Sequence, residues 1–243
     1  MNQQSSIHLA IIPDGNRRWA RAQMMHPWKG HEKAIENFRS ITEWCRNDPR
    51  ISVLTVWCFS TENWKRDPEE INKLMTMLED YLRKERKGFL EKQTRFVHSG
   101  RRDRIPPSLA KLIAEVEEET KDQKEFTLHL AVDYGGKDEI IRAVERMRTP
   151  QPSNLRNQAT SIKNESTTPV TELQFRQHLD HPELPDIDLV LRSSGEQRTS
   201  NFFLWQTTYA EWVFSEKLFP EITDKDVAAA VEELESRKRR FGS

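Results

Sequence analysis

The sequence predicts an α/β fold in which helices cover a mainly parallel sheet. Apolar, β-rich runs alternate along the chain with segments whose apolar residues recur at helical spacing, and this alternation is typical of parallel sheets. Polar clusters follow directly on four of the apolar runs, as ligand-binding loops do at the carboxyl ends of such strands. With only 8 glycines among 243 residues, collagen-like and glycine-rich low-complexity architectures are excluded.

Five segments have the composition of strands. Ile51–Phe59 is almost entirely apolar and rich in β-branched and aromatic residues, as expected of a strand buried on both faces. Ile7–Ile12 is a shorter apolar run that stops at Pro13, where a loop begins. The other three strands are predicted over Thr94–His98, Phe126–Val132 and Ile187–Arg192.

Helices are predicted between these strands. From Gly30 onward, apolar residues recur every three or four positions as far as Cys45, a spacing that describes the buried face of a helix. Asp67 and Pro68 form a typical helix start, a capping carboxylate followed by proline at the first helical position. Further helices are predicted from Pro107, over Asp138–Met147, from Thr171 and from Thr223.

Residues 149–170 interrupt this alternation with several prolines and many Ser, Thr, Asn and Gln residues. Such a composition is typical of a flexible connection. We interpret it as a surface loop rather than a domain linker, because the strand and helices that follow are too small to fold alone. The chain 1–243 is therefore predicted to be a single domain.

The charge balance argues against nucleic acid as a partner. Lys and Arg total 38, Asp and Glu total 39, and the formal net charge is -1, with one basic cluster at Arg237–Arg240. Cys45 and Cys58 lie within apolar stretches and are predicted to be core thiols. No signal-peptide pattern and no run approaching 18 apolar residues are seen, so we expect a cytoplasmic protein.

Dense polar sequence follows four of the predicted strands. Each cluster alone is consistent with an ordinary turn, but four clusters at the same edge of a parallel sheet predict one ligand site. The sequence contains no motif of P-loop NTPases or dinucleotide-binding folds and no Gly-x-Ser-x-Gly elbow of hydrolases. The clusters are Asp14–Trp19, Ser60–Arg66, Asp133–Gly136 and Arg192–Asn201.

Arginines in these clusters predict an anionic substrate with more than one phosphate group. The planar guanidinium matches phosphate oxygens in pairs, although any one arginine could instead pair with a surface glutamate. Asp14 beside basic residues suits a Mg²⁺ ion held by one carboxylate and by substrate phosphates. His31, which follows Gly30 at an apparent helix start, either contacts phosphate or caps the helix. The arginines are Arg17, Arg18, Arg66, Arg192 and Arg198.

Five blocks of sequence resemble the cis-prenyltransferases, the family of undecaprenyl diphosphate synthase. They follow one another from His8 to the final Arg-Arg-Phe-Gly and read HLAIIPDGNRRWA, GHEKAIENFRSI, FSTENWKR, DYGGKDEIIRAV and LRSSGEQRTSNFFLWQTTYAEWVFS. The resemblance implies a six-stranded, mainly parallel sheet flanked by helices, with an elongated apolar tunnel. It also implies a Mg²⁺-dependent step of isoprenoid biosynthesis, in which isopentenyl diphosphate condenses with an allylic diphosphate and a cis double bond forms.

The resemblance also assigns roles to single residues. Asp14 and Asn63 match catalytic positions, and Asp14 and Glu211 match the carboxylates linked to the metal. A neutral amide is a poor base, so Asn63 is interpreted as an orienting group or as a proton acceptor. Arg240 and Gly242 match C-terminal residues that reach the partner's site in a homodimer, and long products would bring the enzyme into peripheral contact with a membrane. Substrate-binding positions are matched by Gly15, Asn16, Arg17, Arg18, Trp19, His31, Ser60, Thr61, Glu62, Trp64, Arg66, Arg192, Arg198, Thr199 and Ser200.

Five positions depart from the family pattern. Arg17 stands at a usual glycine, Asp133 stands at a usual asparagine, and Pro27 replaces an arginine that contacts the allylic diphosphate. Either Arg17 or Lys29 substitutes for that arginine, or the choice of substrate is shifted. Cys58 and Phe126 are bulkier than the residues they replace, which suggests a product of short or medium chain length. Irregular (head-to-middle) coupling and, less favoured, a non-catalytic partner subunit of a heteromeric enzyme stay open as alternatives.

Overall fold

The protein, described by a computed structural model over residues 6–148 and 169–237, is built on one sheet. Its strands are β1 (Ile7–Ile12), β2 (Ile51–Ser60), β3 (Thr94–Ser99), β4 (Phe126–Tyr134), β5 (Leu189–Arg192) and β6 (Glu211–Phe214). They lie in the order β3-β4-β2-β1-β5-β6, and every neighbouring pair is parallel. The predicted six-stranded α/β architecture is therefore confirmed.

Helices alternate with the strands as far as β5, as the pattern predicts, whereas β5 and β6 are joined by a loop without a helix. Asp67 caps the long third helix, because its Oδ1 accepts hydrogen bonds from the backbone N–H groups of Glu69 at 2.9 Å and Glu70 at 3.3 Å. Two short 3₁₀ helices span Thr61–Lys65 and Phe219–Glu221. In the described residues the α-helices are α1 (Asn16–Ala22), α2 (Pro27–Asn47), α3 (Pro68–Glu91), α4 (Pro107–Thr120), α5 (Gly136–Arg148), α6 (Glu172–Arg176) and α7 (Asp224–Ser236).

The central strand β1 is buried on both faces. Leu9 and Ile11 lie in the larger hydrophobic core, which also contains side chains of α2, α3, α4 and α7. Ala10 and Ile12 lie in a smaller core on the other face with the aromatic pair Phe202 and Phe203. Successive side chains of a strand point to opposite faces, so burial of both faces explains why β1 is apolar at almost every position.

The two edges of the sheet differ. At β3 the outward N–H groups of Phe96 and His98 donate to side chains of α4, to Thr120 Oγ1 at 3.0 Å and to Glu117 Oε1 at 2.9 Å. At the opposite edge, β6 is half-exposed along its length, and a pair of stacked rings, Trp212 and Phe214, belongs to it. The β3 edge is therefore covered by its own chain.

The structure contains one strand and one helix that the sequence patterns do not predict. The four residues of β6 are half-exposed and show no alternation of apolar and polar side chains. Helix α1 lies within the polar cluster Asp14–Trp19 and buries only Ala20. In addition, α2 begins at Pro27, three residues before the predicted start at Gly30.

Several predictions concern residues outside the described ranges. Residues 149–168 are most of the predicted loop 149–170, and Arg240 and Gly242 follow the last described residue, Arg237. The organisation as a single domain therefore stays a prediction. Among the described residues, no helix combines the length and the apolar character needed to cross a bilayer.

Candidate functional site

The carboxyl ends of β1, β2, β4 and β5 lie side by side. Ile12 pairs with Arg192 and Ser60 pairs with Tyr134 at these ends, so the four polar clusters meet at one edge of the sheet. Between them lies a cleft of about 1080 Å³, its open mouth included. The cleft and the adjoining groove beside α1 are lined by twelve predicted site residues: Asp14, Gly15, Asn16, Arg17, Arg18, His31, Ser60, Glu62, Asn63, Arg66, Arg192 and Ser200.

The turn after β1 holds Asp14 at the mouth of the cleft. Gly15 has a φ of +97°, and a Cβ at this position would lie 2.7 Å from the Leu218 side chain, so the turn requires glycine. The Ser193 hydroxyl donates to Asp14 O at 2.8 Å and accepts from Asp14 N at 2.9 Å. Phe219 N donates to the same carbonyl oxygen at 3.0 Å. These bonds hold the backbone of Asp14 in place at the point where the chain leaves the sheet.

The Asp14 carboxylate fits a Mg²⁺ ion. Its side chain is 34% exposed, with Oδ1 accepting from Gly15 N at 2.7 Å and Oδ2 from Arg192 Nη2 at 3.1 Å. Mg²⁺ is commonly held by one or two carboxylates together with substrate phosphates and water. The described residues contain no group of three His, Cys, Asp or Glu side chains that could hold a metal.

A buried carboxylate that the sequence patterns do not single out organises the cationic wall of the cleft. Glu70, in the first turn of α3, is 5% exposed and accepts from Arg66 Nη1 at 3.3 Å. Its oxygens also lie 3.6 Å from His31 Nε2 and from Arg17 Nε. His31, and then Arg17 and Arg66, hold the pKa of Glu70 below its usual value. In the sequence, Glu70 has only the signal of an acidic residue at a helix start.

Arg192 connects three parts of the site. This side chain is almost completely buried, and it donates from Nη1 to Ser200 Oγ at 2.8 Å and to Arg198 O, and from Nη2 to Asp14. The loop that supplies the first two acceptors is strained, because Ser200 and Asn201 have φ values of +51° and +71°. The side chain of Arg198 is mostly exposed and pairs with a neighbouring glutamate.

Five buried polar atoms of the site have no hydrogen-bond partner. They are among seven such side-chain atoms in the described part of the chain, the others being in Thr42 and Gln206. Because an unsatisfied buried polar group costs about 1–3 kcal/mol, the cleft is suited to a polar occupant. Three of the five are nitrogens of basic side chains; Arg17 Nε and His31 Nε2 lie 3.6 Å from the Glu70 carboxylate, beyond hydrogen-bond distance, so a closer anion can accept from them. The atoms are Asn16 Oδ1, Arg17 Nε, His31 Nε2, Arg192 Nε and Ser194 Oγ.

The 3₁₀ helix after β2 orients Asn63 as a donor. Asn63 Oδ1 accepts from Ser60 N at 3.1 Å, which leaves the amide NH₂ group for the cleft. Beside it, Asn201 Nδ2 donates to Glu62 Oε1 at 3.2 Å and so joins this helix to the loop after β5. Asn201 is not one of the predicted site residues, although it follows Ser200 in the same polar cluster.

An apolar pocket adjoins the cleft between the sheet, α2 and α3. It encloses about 580 Å³, its mouth included, and Asn16 and His31 line both the pocket and the cleft. Cys58 lies in the pocket wall, whereas Phe126 does not line it and is buried at the start of β4. This pocket is where the implied tunnel would begin. Its wall also includes Ala34, Phe38, Leu74 and Tyr81.

Six predicted site residues line neither the cleft nor the adjoining groove. One of them is Glu211. It begins β6 opposite Leu189 and forms an ion pair with Arg237 at 2.7 Å. Glu211 therefore lies at the amino end of its strand, whereas Asp14 follows the carboxyl end of β1. A single chain does not bring these two carboxylates together. The other five are Trp19, Thr61, Trp64, Arg198 and Thr199.

The chain matches one family of known proteins along almost its whole length. The family model for undecaprenyl diphosphate synthases matches residues 12–242. An isoprenyl transferase of Helicobacter pylori is 40% identical over 235 residues, which cover 97% of this chain and 96% of that protein. An isoprenyl transferase of Aquifex aeolicus is also 40% identical, with 97% and 95% of the two chains covered.

Solved structures agree with these sequence matches. A lavandulyl diphosphate synthase from Lavandula x intermedia, in complex with dimethylallyl diphosphate, superposes with a TM-score of 0.86 at 31% identity. A probable undecaprenyl diphosphate synthase from Campylobacter jejuni superposes with a TM-score of 0.77 at 33% identity. Both comparisons cover 100% of each chain.

Proposed function

The chain belongs to the undecaprenyl diphosphate synthase family of prenyltransferases, and on this premise we propose that it condenses isopentenyl diphosphate with an allylic diphosphate, with Mg²⁺, to give a cis-polyprenyl diphosphate. The observation that carries the proposal is a set of three basic side chains lining the cleft and the adjoining groove, Arg17, His31 and Arg192, that each keep a buried nitrogen without a hydrogen bond beside an apolar pocket. A diphosphate would accept from these nitrogens, and a hydrocarbon chain would fill the pocket. A short or medium-chain product is proposed on the bulk of Cys58 in the pocket wall.

The allylic diphosphate is bound on the side of α1. Arg17 and Arg18 supply positive charge there, His31 lines the same groove, and Asn16 lies between the cleft and the pocket. Pro27 opens α2 and does not line the groove, so the arginine expected at that position is replaced by guanidinium groups of α1. Asp14 would hold Mg²⁺, which supplies positive charge to the departing diphosphate when bound.

Isopentenyl diphosphate is bound on the side of β5. Arg192 and Ser200 line this wall, and the exposed Arg198 lies in the same loop. The free NH₂ group of Asn63 supports an orienting role, because its oxygen is already bonded to Ser60 N. Two held diphosphates bring the alkene of one substrate next to the allylic carbon of the other, which is catalysis by positioning. The apolar pocket keeps water from the cation that forms.

The active form is proposed to be a homodimer in the cytoplasm. Apolar side chains that are at least one-third exposed occur on β6, in the preceding loop and on α5, and they include Phe214, Tyr209 and Ile141. A second copy that covers them would bring a new chain to the open edge of the sheet. In that arrangement Arg240 and Gly242 would approach the partner's site, and long products would be delivered by peripheral contact with a membrane.

A second candidate, irregular coupling of two allylic diphosphates, is favoured by the likeness to a lavandulyl diphosphate synthase. The intact cluster Asp14–Trp19 favours the regular reaction, and the retained Asp14 and arginines argue against a non-catalytic subunit. The test is mass spectrometry of the products formed from isotope-labelled isopentenyl diphosphate with allylic primers of increasing length. Label in a polyprenyl product supports the proposal, whereas product formed from dimethylallyl diphosphate alone supports irregular coupling.

A further inference from the structure

Asp133, at the end of β4, is a fully buried carboxylate with three hydrogen bonds. Its Oδ1 accepts from Trp64 Nε1 at 2.8 Å, and its two oxygens accept from Arg104, at 2.7 Å from Nε and also from Nη2. The side chain is 0% exposed, and its backbone has a φ of +52°. Such a conformation is unfavourable for a non-glycine residue. The three bonds are what make this strained, buried charge tolerable.

Arg104 reaches Asp133 from the loop between β3 and α4. Gly100 starts this loop with a φ of +124°, and a Cβ there would lie 2.1 Å from Val132 O, so the loop passes directly over β4. Arg101 N then donates to Asp133 O at 3.1 Å. The Arg104 guanidinium donates to both carboxylate oxygens of Asp133. Oδ1 has a further lone pair that accepts the indole N–H of Trp64.

The bonded tryptophan belongs to the 3₁₀ helix that carries Asn63. Its ring also packs edge-on against Phe59, with 5.1 Å between the ring centroids. An indole held at its N–H and at its ring also fixes the orientation of the residue before it, Asn63. We propose that Asp133 and Arg104 are positioning residues that hold Trp64, and through it Asn63, in the geometry that prenyl transfer requires.

This inference rests on the proposed function, and one pair of variants tests it. Arg104→Met removes the guanidinium from Asp133. Arg102→Met is the matched control, because Arg102 lies in the same loop, is equally exposed and pairs instead with Glu117 at 2.6 Å. We expect Arg104→Met to lower kcat by roughly tenfold or more with the KM for the allylic diphosphate unchanged, because the groups that bind it lie on α1 and α2. Arg102→Met should keep the wild-type kcat.

A second measurement is independent of activity. The chain has seven tryptophans, so the indole N–H signal of Trp64 in a ¹H–¹⁵N spectrum is assigned by its loss in Trp64→Phe. Arg104→Met should move this signal, and Arg102→Met should not. A signal that stays in place, or one that moves while kcat keeps its wild-type value, would overturn the proposal.

Two further variants keep the comparison informative. Arg104→Lys retains a charge without the paired bonds, so its kcat should lie between those of the wild type and Arg104→Met. If Arg104→Met does not fold, Arg104→Lys and Asp133→Asn take its place in both measurements. If the wild-type protein forms no prenyl product, the proposed function fails, while the indole signal still decides whether Arg104 holds Trp64.

Discussion

His8 on β1 is joined to His129 on β4 through a single hydroxyl group, that of Thr55 on the strand between them. The Thr55 oxygen lies 2.7 Å from His8 Nε2 and 2.9 Å from His129 Nδ1. His8 Nδ1 must donate to the carbonyl of Pro185, since a carbonyl can only accept. Thr55 therefore donates to His8 and accepts from His129. Burial lowers the pKa of both rings and keeps them neutral, so both are Nδ1–H tautomers and His129 Nε2 accepts from Ser99.

This arrangement predicts a loss of stability at mildly acidic pH. Burial lowers the pKa of His8 to about 4 and that of His129 well below 6.5. The unfolded chain binds these protons near pH 6.5 while the folded chain does not, so the free energy of unfolding falls as pH decreases from 6.5 towards 4. His8 alone contributes about 3 kcal/mol to this decrease.

Urea unfolding between pH 7.5 and 5 measures the effect. His26→Gln is the control, because His26 is exposed, and it should show the same pH dependence as the wild type. His8→Asn should reduce the slope of the curve but not abolish it, because His129 and the buried His98 also have lowered pKa values. A wild-type free energy of unfolding that does not change over this range would contradict the lowered pKa of these buried histidines.

Asp14→Asn should abolish most of the turnover while the fold is retained. The substitution removes the carboxylate that would hold Mg²⁺ beside Arg192, and electrostatic stabilisation by a metal contributes several kcal/mol. A decrease in kcat of about 10²-fold or more is expected, with an unchanged circular dichroism spectrum. The exposed Glu36→Gln serves as control. Near-normal turnover of Asp14→Asn would refute the role of Asp14.

Glycine-to-alanine substitutions at two helical positions should have opposite effects. A Cβ at Gly30 of α2 would lie 2.0 Å from Asn16 O, whereas a Cβ at Gly88 of α3 would meet no atom nearer than 4.0 Å. Gly30→Ala therefore forces α1 and α2 apart, at a cost of about 1–3 kcal/mol. Gly88→Ala should raise the free energy of unfolding by roughly 0.5–1 kcal/mol. Thermal unfolding compares them, and equal shifts in Tm would contradict the close approach.

Substitutions at Cys58 and Phe126 should separate the length of the product from the stability of the fold. Cys58→Leu adds bulk to the pocket wall and is expected to shorten the product. Phe126→Ala should leave the product length unchanged and lower the free energy of unfolding by about 3–5 kcal/mol, because this ring is buried outside the pocket. Mass spectrometry of products and urea unfolding distinguish the two effects. A longer product from Phe126→Ala would place that ring beside the growing chain.

The sequence patterns predict the parts of the fold whose side chains repeat. Alternating runs and helix caps identify five strands and the main helices, since their periodicity reflects burial along one element. They miss β6, because an edge strand of four half-exposed residues has no such periodicity. They also miss α1, because it buries only Ala20.

The candidate site shows the same limit. Polar residues directly after strands are predictable, because parallel strands place their carboxyl ends together. The partners of Glu70 are not predictable in this way, because α1 and α2 bring Arg17 and His31 close to Glu70 only in the tertiary structure. Whether Glu211 lies near the cleft depends on whether it begins or ends β6. The sequence does not show this, because it requires the register of β6 with β5.

The side chains of α4 that cap β3 also limit how the sheet can grow. Thr120 and Glu117 occupy the N–H groups through which another strand would bind there, so the β3 edge is protected against strand addition. Among the described residues no comparable cap of N–H groups is seen on β6. If two copies met through β6, the capped β3 edges would face outward, so such a contact would end at a pair and would not propagate into a fibre.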